Sequence, residues 1–204
     1  MVKALLFVTS LLPAGWLVVR GFAGMLTANP IDEITDVTGT WTLRFVLLTL
    51  AVTPLRRLTG WNGVIRFRRM LGLFAFFYGS LHFATWLVLD QFFAWEFILA
   101  DIAKRPFITV GFTGFVLMIP LALTSTAGWI RRLGGKTWNR LHKLVYATGV
   151  AGVVHYLWLV KVVEAEQIAY AVILAVLLGL RVWFALLKRS GATVRTRPVA
   201  ESPS

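Results

Sequence analysis

His82, His142 and His155 are the three histidines of this chain, and each lies in or beside a strongly apolar stretch. His82 sits near the end of L-F-A-F-F-Y-G-S-L-H-F, and the other two fall within W-N-R-L-H-K-L-V-Y-A-T-G-V-A-G-V-V-H-Y-L-W, residues 138–158. Neutral imidazole is a good ligand for iron, copper or zinc. Ionisable residues are rare enough at membrane depth that their default reading is functional. The bland alternative is a neutral ring hydrogen-bonded to a neighbouring helix. Cysteine is absent, which removes thiolate-ligated haem, iron–sulfur clusters, cysteine nucleophiles and disulfides together. Any metal here must rely on histidine.

The elements carrying these rings read as membrane helices. Of 204 residues, 58% are hydrophobic and nine are tryptophan, an apolar share above that of soluble domains. A helix needs about 20 apolar residues to cross a hydrocarbon core of about 30 Å. Six segments meet or approach that length, at 4–26, 41–58, 70–89, 107–130, 141–160 and 167–187. The expected fold is therefore an all-α bundle of six transmembrane helices over residues 1–189, with a disordered tail over 190–204. The first segment resembles a signal peptide at its start, but its apolar run continues to about Met25 without a small-x-small cleavage site, so it is read as a span. The second is the weakest, with Arg44 near its start and T-P-L-R-R at its end.

Charge sets the orientation. The formal net charge of +12 comes from short basic clusters between apolar runs, a topological pattern that gives no reason to invoke nucleic acid. Residues 27–40 carry three acids and no base, whereas Arg56, Arg57, Arg66, Arg68 and Arg69 follow the second span without an acid. A second basic cluster, Arg131, Arg132, Lys136, Arg140 and Lys143, follows the fourth. The positive-inside rule puts these clusters and both termini in the cytoplasm. No loop is long enough for a nucleotide-binding domain, so a redox partner must be a separate protein. No acid lies inside any of the six segments, which argues against a carboxylate proton relay and against hydrolysis.

Spans three and five run in the same direction. His82 lies about 17 Å along its helix from Leu71, and His155 about 21 Å along its own from Leu141, at 1.5 Å per residue. Two histidines at one depth on different helices can ligate a haem iron from both faces. His142 is about 20 Å from His155 along the helix and cannot share that iron; it is either a ligand to something else or an interfacial histidine. Arg66, Arg68 and Arg69 beside R-x-x-L-H-K could bind haem propionates in two-pronged fashion, or serve topology alone. Gly72 and Gly79 could admit a flat cofactor to the third span, and Gly149 and Gly152 could allow close packing of the fifth.

Through R-R-M-L-G-L, S-L-H, R-P-F-I-T-V-G, A-L-T-S, W-N-R-L-H-K-L-V-Y and H-Y-L-W, the chain resembles the MsrQ (YedZ) family, from about Leu11 to Arg181. That family is the haem-binding membrane subunit of the bacterial MsrPQ system, which repairs methionine sulfoxide in periplasmic proteins, and it belongs to the ferric reductase-like transmembrane group. The resemblance implies b-type haem held by His82 and His155, with His142 matching an inner ligand whose usual partner on span three is here Arg68. One haem is expected and a second left open, with Arg68, Arg69 and Arg140 serving propionates or an inner cofactor. It further implies a place in the bacterial inner membrane, electrons from quinol or a cytoplasmic flavin reductase, and a periplasmic molybdopterin catalytic subunit as acceptor. Flavin mononucleotide (FMN) enters as a family cofactor, although no motif in this chain marks a flavin site. Two other readings are a stand-alone quinol or ferric reductase and a non-catalytic membrane anchor. Turnover without a partner would mark the first; colourless protein, with a partner indifferent to loss of all three histidines, would mark the second.

Overall fold

The computed structural model describes residues 1–159 and 163–195, the last seven as backbone. Its helices are α1 (Val2–Phe22), α2 (Pro30–Thr59), α3 (Arg68–Ala84), α4 (Trp95–Lys104), α5 (Pro106–Leu123), α6 (Ala127–Leu141), α7 (Leu144–Leu159) and α8 (Ala165–Arg195). A 3₁₀ turn, Asn62–Phe67, leads into α3, and a π-helical turn, Thr85–Asp90, continues it. No strand occurs among the described residues. α2 packs chiefly on α3, and α5 on α7; contacts of α3 with α5 and of α2 with α7 join the two pairs.

Among the described residues, four helical segments are long and apolar enough to cross a membrane: Val2–Phe22, Asn62–Asp90, Pro106–Leu123 and Ala165–Lys188. α7 is apolar but has 16 residues. α2 is long but carries acids in its first turn and Arg56 and Arg57 in its last. It is nevertheless the best buried helix, contributing Leu43, Phe45, Val46, Leu47, Leu50 and Val52 to the core. A helix surrounded by other helices need not be apolar all round, because protein covers it where lipid would cover an outer helix.

Four expectations change. α2 starts at Pro30, well before residue 41, since proline suits the first helical position and Asp32 and Glu33 favour the positive end of the helix dipole. It stops at Gly60, whose φ of 72° is left-handed. The segment 107–130 is not one helix: α5 ends at Leu123, and Thr126 caps α6 by accepting from the Trp129 amide at 3.3 Å. The segment 90–106 contains a helix, α4. At the other end of the chain α8 continues to Arg195, into the segment expected as a tail, and residues 196–204 lie outside the described residues.

Tyr78 ties α1 to the bundle. Fully buried on α3, it donates its hydroxyl to the Ser10 carbonyl at 2.7 Å and accepts from the Ala14 amide at 3.2 Å. Its ring stacks on Phe45 of α2, with centroids 5.4 Å apart.

Candidate metal centre

α3 and α7 each deliver one imidazole, and the two meet. The ring centroids of His82 and His155 are 6.1 Å apart with planes inclined by 76°. The other helix of each pair holds the ring: His82 Nδ1 lies 3.0 Å from the Thr35 carbonyl on α2, and His155 Nδ1 lies 2.7 Å from the Phe107 carbonyl on α5. A carbonyl only accepts, so Nδ1 is the donor in both rings and each neutral imidazole keeps a bare lone pair on Nε2. Metal-binding imidazoles are oriented in this way, the second nitrogen donating to a carbonyl or carboxylate. Two rings bonded through Nε2 to opposite faces of one ion, at about 2 Å each, would have centres roughly 6 Å apart.

Both rings line a cavity of about 450 Å³, within the range of roughly 300–1,000 Å³ usual for small-molecule and cofactor sites. Its walls are largely apolar, with Leu43, Val46, Phe83, Phe115 and Met118 among them. Phe83 and Phe115 stack at 4.8 Å. Asp32, Asp36, Asp90 and Arg105 mark the end formed by the start of α2, the π turn and the start of α5. Arg105 is, among the described residues, the one arginine or lysine in the lining, and it pairs with Asp101 at 3.3 Å. Among the described residues no three histidine, cysteine, aspartate or glutamate side chains gather into a cluster. The site therefore offers two protein ligands, suiting an ion whose other positions are filled by a flat macrocycle. Apolar walls, paired lone pairs and volume together fit haem.

The remaining sequence-predicted residues lie elsewhere. Arg68, Arg69 and Arg140 do not line the cavity. Arg68 starts α3, about 21 Å along the helix from His82, half-buried among the electrostatic neighbours Tyr146, Arg181 and His142; Arg69 and Arg140 are exposed. His142 is not inside α7; it caps α6. Its ring stacks on Trp138 with centroids 3.8 Å apart, and its Nε2 lies 3.0 Å from Thr124 Oγ1. The single proton of that hydroxyl goes to the Pro120 carbonyl at 2.6 Å, so Nε2 of His142 donates and has no free lone pair in this arrangement. Gly79 and Gly152 line the cavity, whereas Gly72 faces Thr49 and Gly149 packs against Leu50 and Leu174.

Sequence reasoning missed the Thr35 and Phe107 carbonyls, which as backbone groups carry no signal of their own. It also missed Arg105, although R-P-F-I-T-V-G was noted as a motif, and Gly39 and Gly111, against which the two imidazoles lie.

The family described as ferric reductase like transmembrane component matches residues 38–153, a span that includes His82 and His142 and ends two residues before His155. A protein of Herminiimonas arsenicoxydans named protein-methionine-sulfoxide reductase heme-binding subunit MsrQ is 54% identical over 192 residues, covering 93% of this chain and 88% of its own. Proteins of the same name from Ralstonia nicotianae and Azospira oryzae are 56% and 52% identical, covering 90% and 99% of this chain and 85% and 87% of their own.

Proposed function

Because the chain belongs to the MsrQ family, within the ferric reductase-like transmembrane group, we propose that it is the haem-binding electron-transfer subunit of a protein-methionine-sulfoxide reductase, with His82 and His155 as axial ligands to one b-type haem. The observation that carries this reading is the matched pair of imidazoles, each with Nδ1 held by a backbone carbonyl and Nε2 left as a lone pair, 6.1 Å apart in one cavity.

When bound, haem would supply a one-electron iron couple, and with His82 and His155 both holding it the site would serve electron transfer and not substrate binding. The chain's own residues hold the rest of the site. The Thr35 and Phe107 carbonyls fix the ring tautomers and strengthen Nε2 as a donor. Leu43, Val46, Phe115 and Met118 keep the inner walls dry. Arg105 offers a guanidinium to a carboxylate at the mouth, a role that Arg68, Arg69 and Arg140 are not positioned to fill from outside the lining.

The proposed setting is the bacterial inner membrane, crossed six times with both termini cytoplasmic. Eight of the nine acids, at 32, 33, 36, 90, 96, 101, 164 and 166, fall in or beside connections on the side where the cavity has its charged mouth, and the positive-inside rule puts that side outward. Electrons would come from quinol or a flavin reductase on the cytoplasmic side and pass to a periplasmic molybdopterin subunit resembling MsrP.

Purified protein should show a reduced-minus-oxidised b-type spectrum and should pass electrons from a reduced donor to the purified catalytic subunit. Colourless protein, or a catalytic subunit turning over equally well without this chain, overturns the proposal.

A further inference from the structure

The imidazoles of His82 and His155 are held by the same device, used twice. Thr35 and Gly39 are four residues apart on α2, and Phe107 and Gly111 are four apart on α5. In an α-helix the carbonyl of residue i accepts from the amide of residue i+4, so each carbonyl that receives an imidazole proton is also the helical partner of a glycine amide. A carbonyl oxygen has two lone pairs, and the second one serves the ring.

To reach that lone pair, the ring must lie against the helix where residue i+4 would carry its side chain. A Cβ built on Gly39 would stand 2.9 Å from His82 Cε1 and 3.0 Å from its Nδ1. One built on Gly111 would stand 2.7, 2.8 and 3.0 Å from His155 Nδ1, Cε1 and Cγ. These are repulsive distances, and the atoms belong to a rigid ring already fixed through Nδ1. By contrast, a Cβ on Gly15 or Gly179 would meet nothing within 4 Å, and one on Gly72 would meet Thr49 at an ordinary 3.7 Å.

Resting on the haem reading above, we propose that Gly39 and Gly111 are paired positioning residues. Lacking a Cβ, each lets an axial imidazole share a helical carbonyl and thereby sets the donor strength of the nitrogen that faces iron. A Nδ1–H bonded to a carbonyl makes Nε2 more basic, and a more basic ligand favours ferric over ferrous iron. An alanine at either position pushes the ring off its carbonyl, weakens that bond and raises the midpoint potential. A merely structural glycine predicts the opposite emphasis, because alanine is the better helix former and should leave the iron unaffected.

The test compares full-length wild type with Gly39→Ala, Gly111→Ala, Gly15→Ala and His82→Ala, all purified in detergent. The readouts are the ferric low-spin electron paramagnetic resonance spectrum, the midpoint potential, haem per polypeptide and helix content by circular dichroism. Gly39→Ala and Gly111→Ala should shift the resonance positions and raise the potential, Gly111→Ala further, or lose haem with helix content retained; Gly15→Ala should match wild type. A tenfold change in the relative affinity for the two iron states corresponds to about 59 mV for one electron. The milder contact at Gly39 keeps the test readable if Gly111→Ala does not accumulate. Wild-type spectra and potentials in the glycine variants overturn the positioning role. Loss of the haem reading itself would look different: wild type without a haem spectrum, or His82→Ala with an unchanged one.

Discussion

The rings of His82 and His155 stand 6.1 Å apart between centroids, each bound through Nδ1 to a carbonyl of a different helix, so the proposed metal centre draws on α2, α3, α5 and α7 at once. Replacing either ring by alanine leaves its carbonyl with the helical amide of Gly39 or Gly111, and no buried acceptor is orphaned. Without cofactor the change should therefore cost about 1 kcal/mol or less. His82→Ala and His155→Ala are expected to keep wild-type helix content by circular dichroism while retaining under roughly a tenth of the wild-type haem, more than the 10- to 100-fold affinity loss known for outer-sphere partners alone would require. Either variant carrying full haem with an unchanged low-spin spectrum would remove that residue as a ligand.

His142 is expected to behave differently. Its ring stacks on Trp138 and its Nε2 donates to Thr124, which joins the turn after α5 to the end of α6. Losing one hydrogen bond and one aromatic contact should cost about 1–3 kcal/mol. His142→Ala should lower the unfolding temperature of purified protein and leave haem per polypeptide at the wild-type value. A pyridine haemochrome titration giving one haem for both proteins is the expected result; a drop from two haems to one would place an iron at His142.

The contrast between these histidines shows what was legible beforehand. Counting residues along two apolar runs brought His82 and His155 to one depth, because helix rise is regular. The same counting set His142 apart, but could not show that it lies outside the following helix, since A-L-T-S-T-A-G-W and L-H-K are apolar enough to read through. The start of α2 was hidden for the opposite reason: T-A-N-P-I-D-E-I-T-D is polar like a loop, although N-P followed by acids is also a helix-start pattern. Arg68 drew attention as the residue 14 before His82, where the resemblance expects an inner ligand, and Arg69 and Arg140 as the basic residues beside Arg68 and His142. Arg105 was harder to see, because its nearness to the cavity depends on how α5 enters the bundle.

That placement gives a third expectation. Arg105 is the one cation in the cavity lining among the described residues, with its side chain 57% exposed and paired to Asp101. A guanidinium–carboxylate contact screened to this degree is worth about 1 kcal/mol, or roughly a fivefold effect. Haem transfer to excess apomyoglobin should be about fivefold faster from Arg105→Ala than from wild type, while Arg69→Ala and Arg140→Ala should not differ. Faster loss from either of the latter, with Arg105→Ala unaffected, would return the carboxylate contact to the opposite end of the bundle.

Tyr78 supports a prediction that tests the bundle apart from its cofactor. Its hydroxyl bridges the Ser10 carbonyl and the Ala14 amide of α1, and the residue has no exposed surface. Tyr78→Phe keeps the ring stack on Phe45 and removes both hydrogen bonds. Pro13 lies within the bridged turn, so α1 can relax there only in part, and the part-buried Ala14 amide loses its Tyr78 partner. The expected cost is about 1–2 kcal/mol, toward the upper end of hydrogen-bond effects in membrane helices. It should appear as a lower unfolding temperature and as faster proteolysis between α1 and α2. Because Tyr78 is not in the cavity lining and its hydroxyl bonds to α1, the haem spectrum and midpoint potential should not move; a shifted potential in Tyr78→Phe would mean that α1 helps to set the position of α3 at His82.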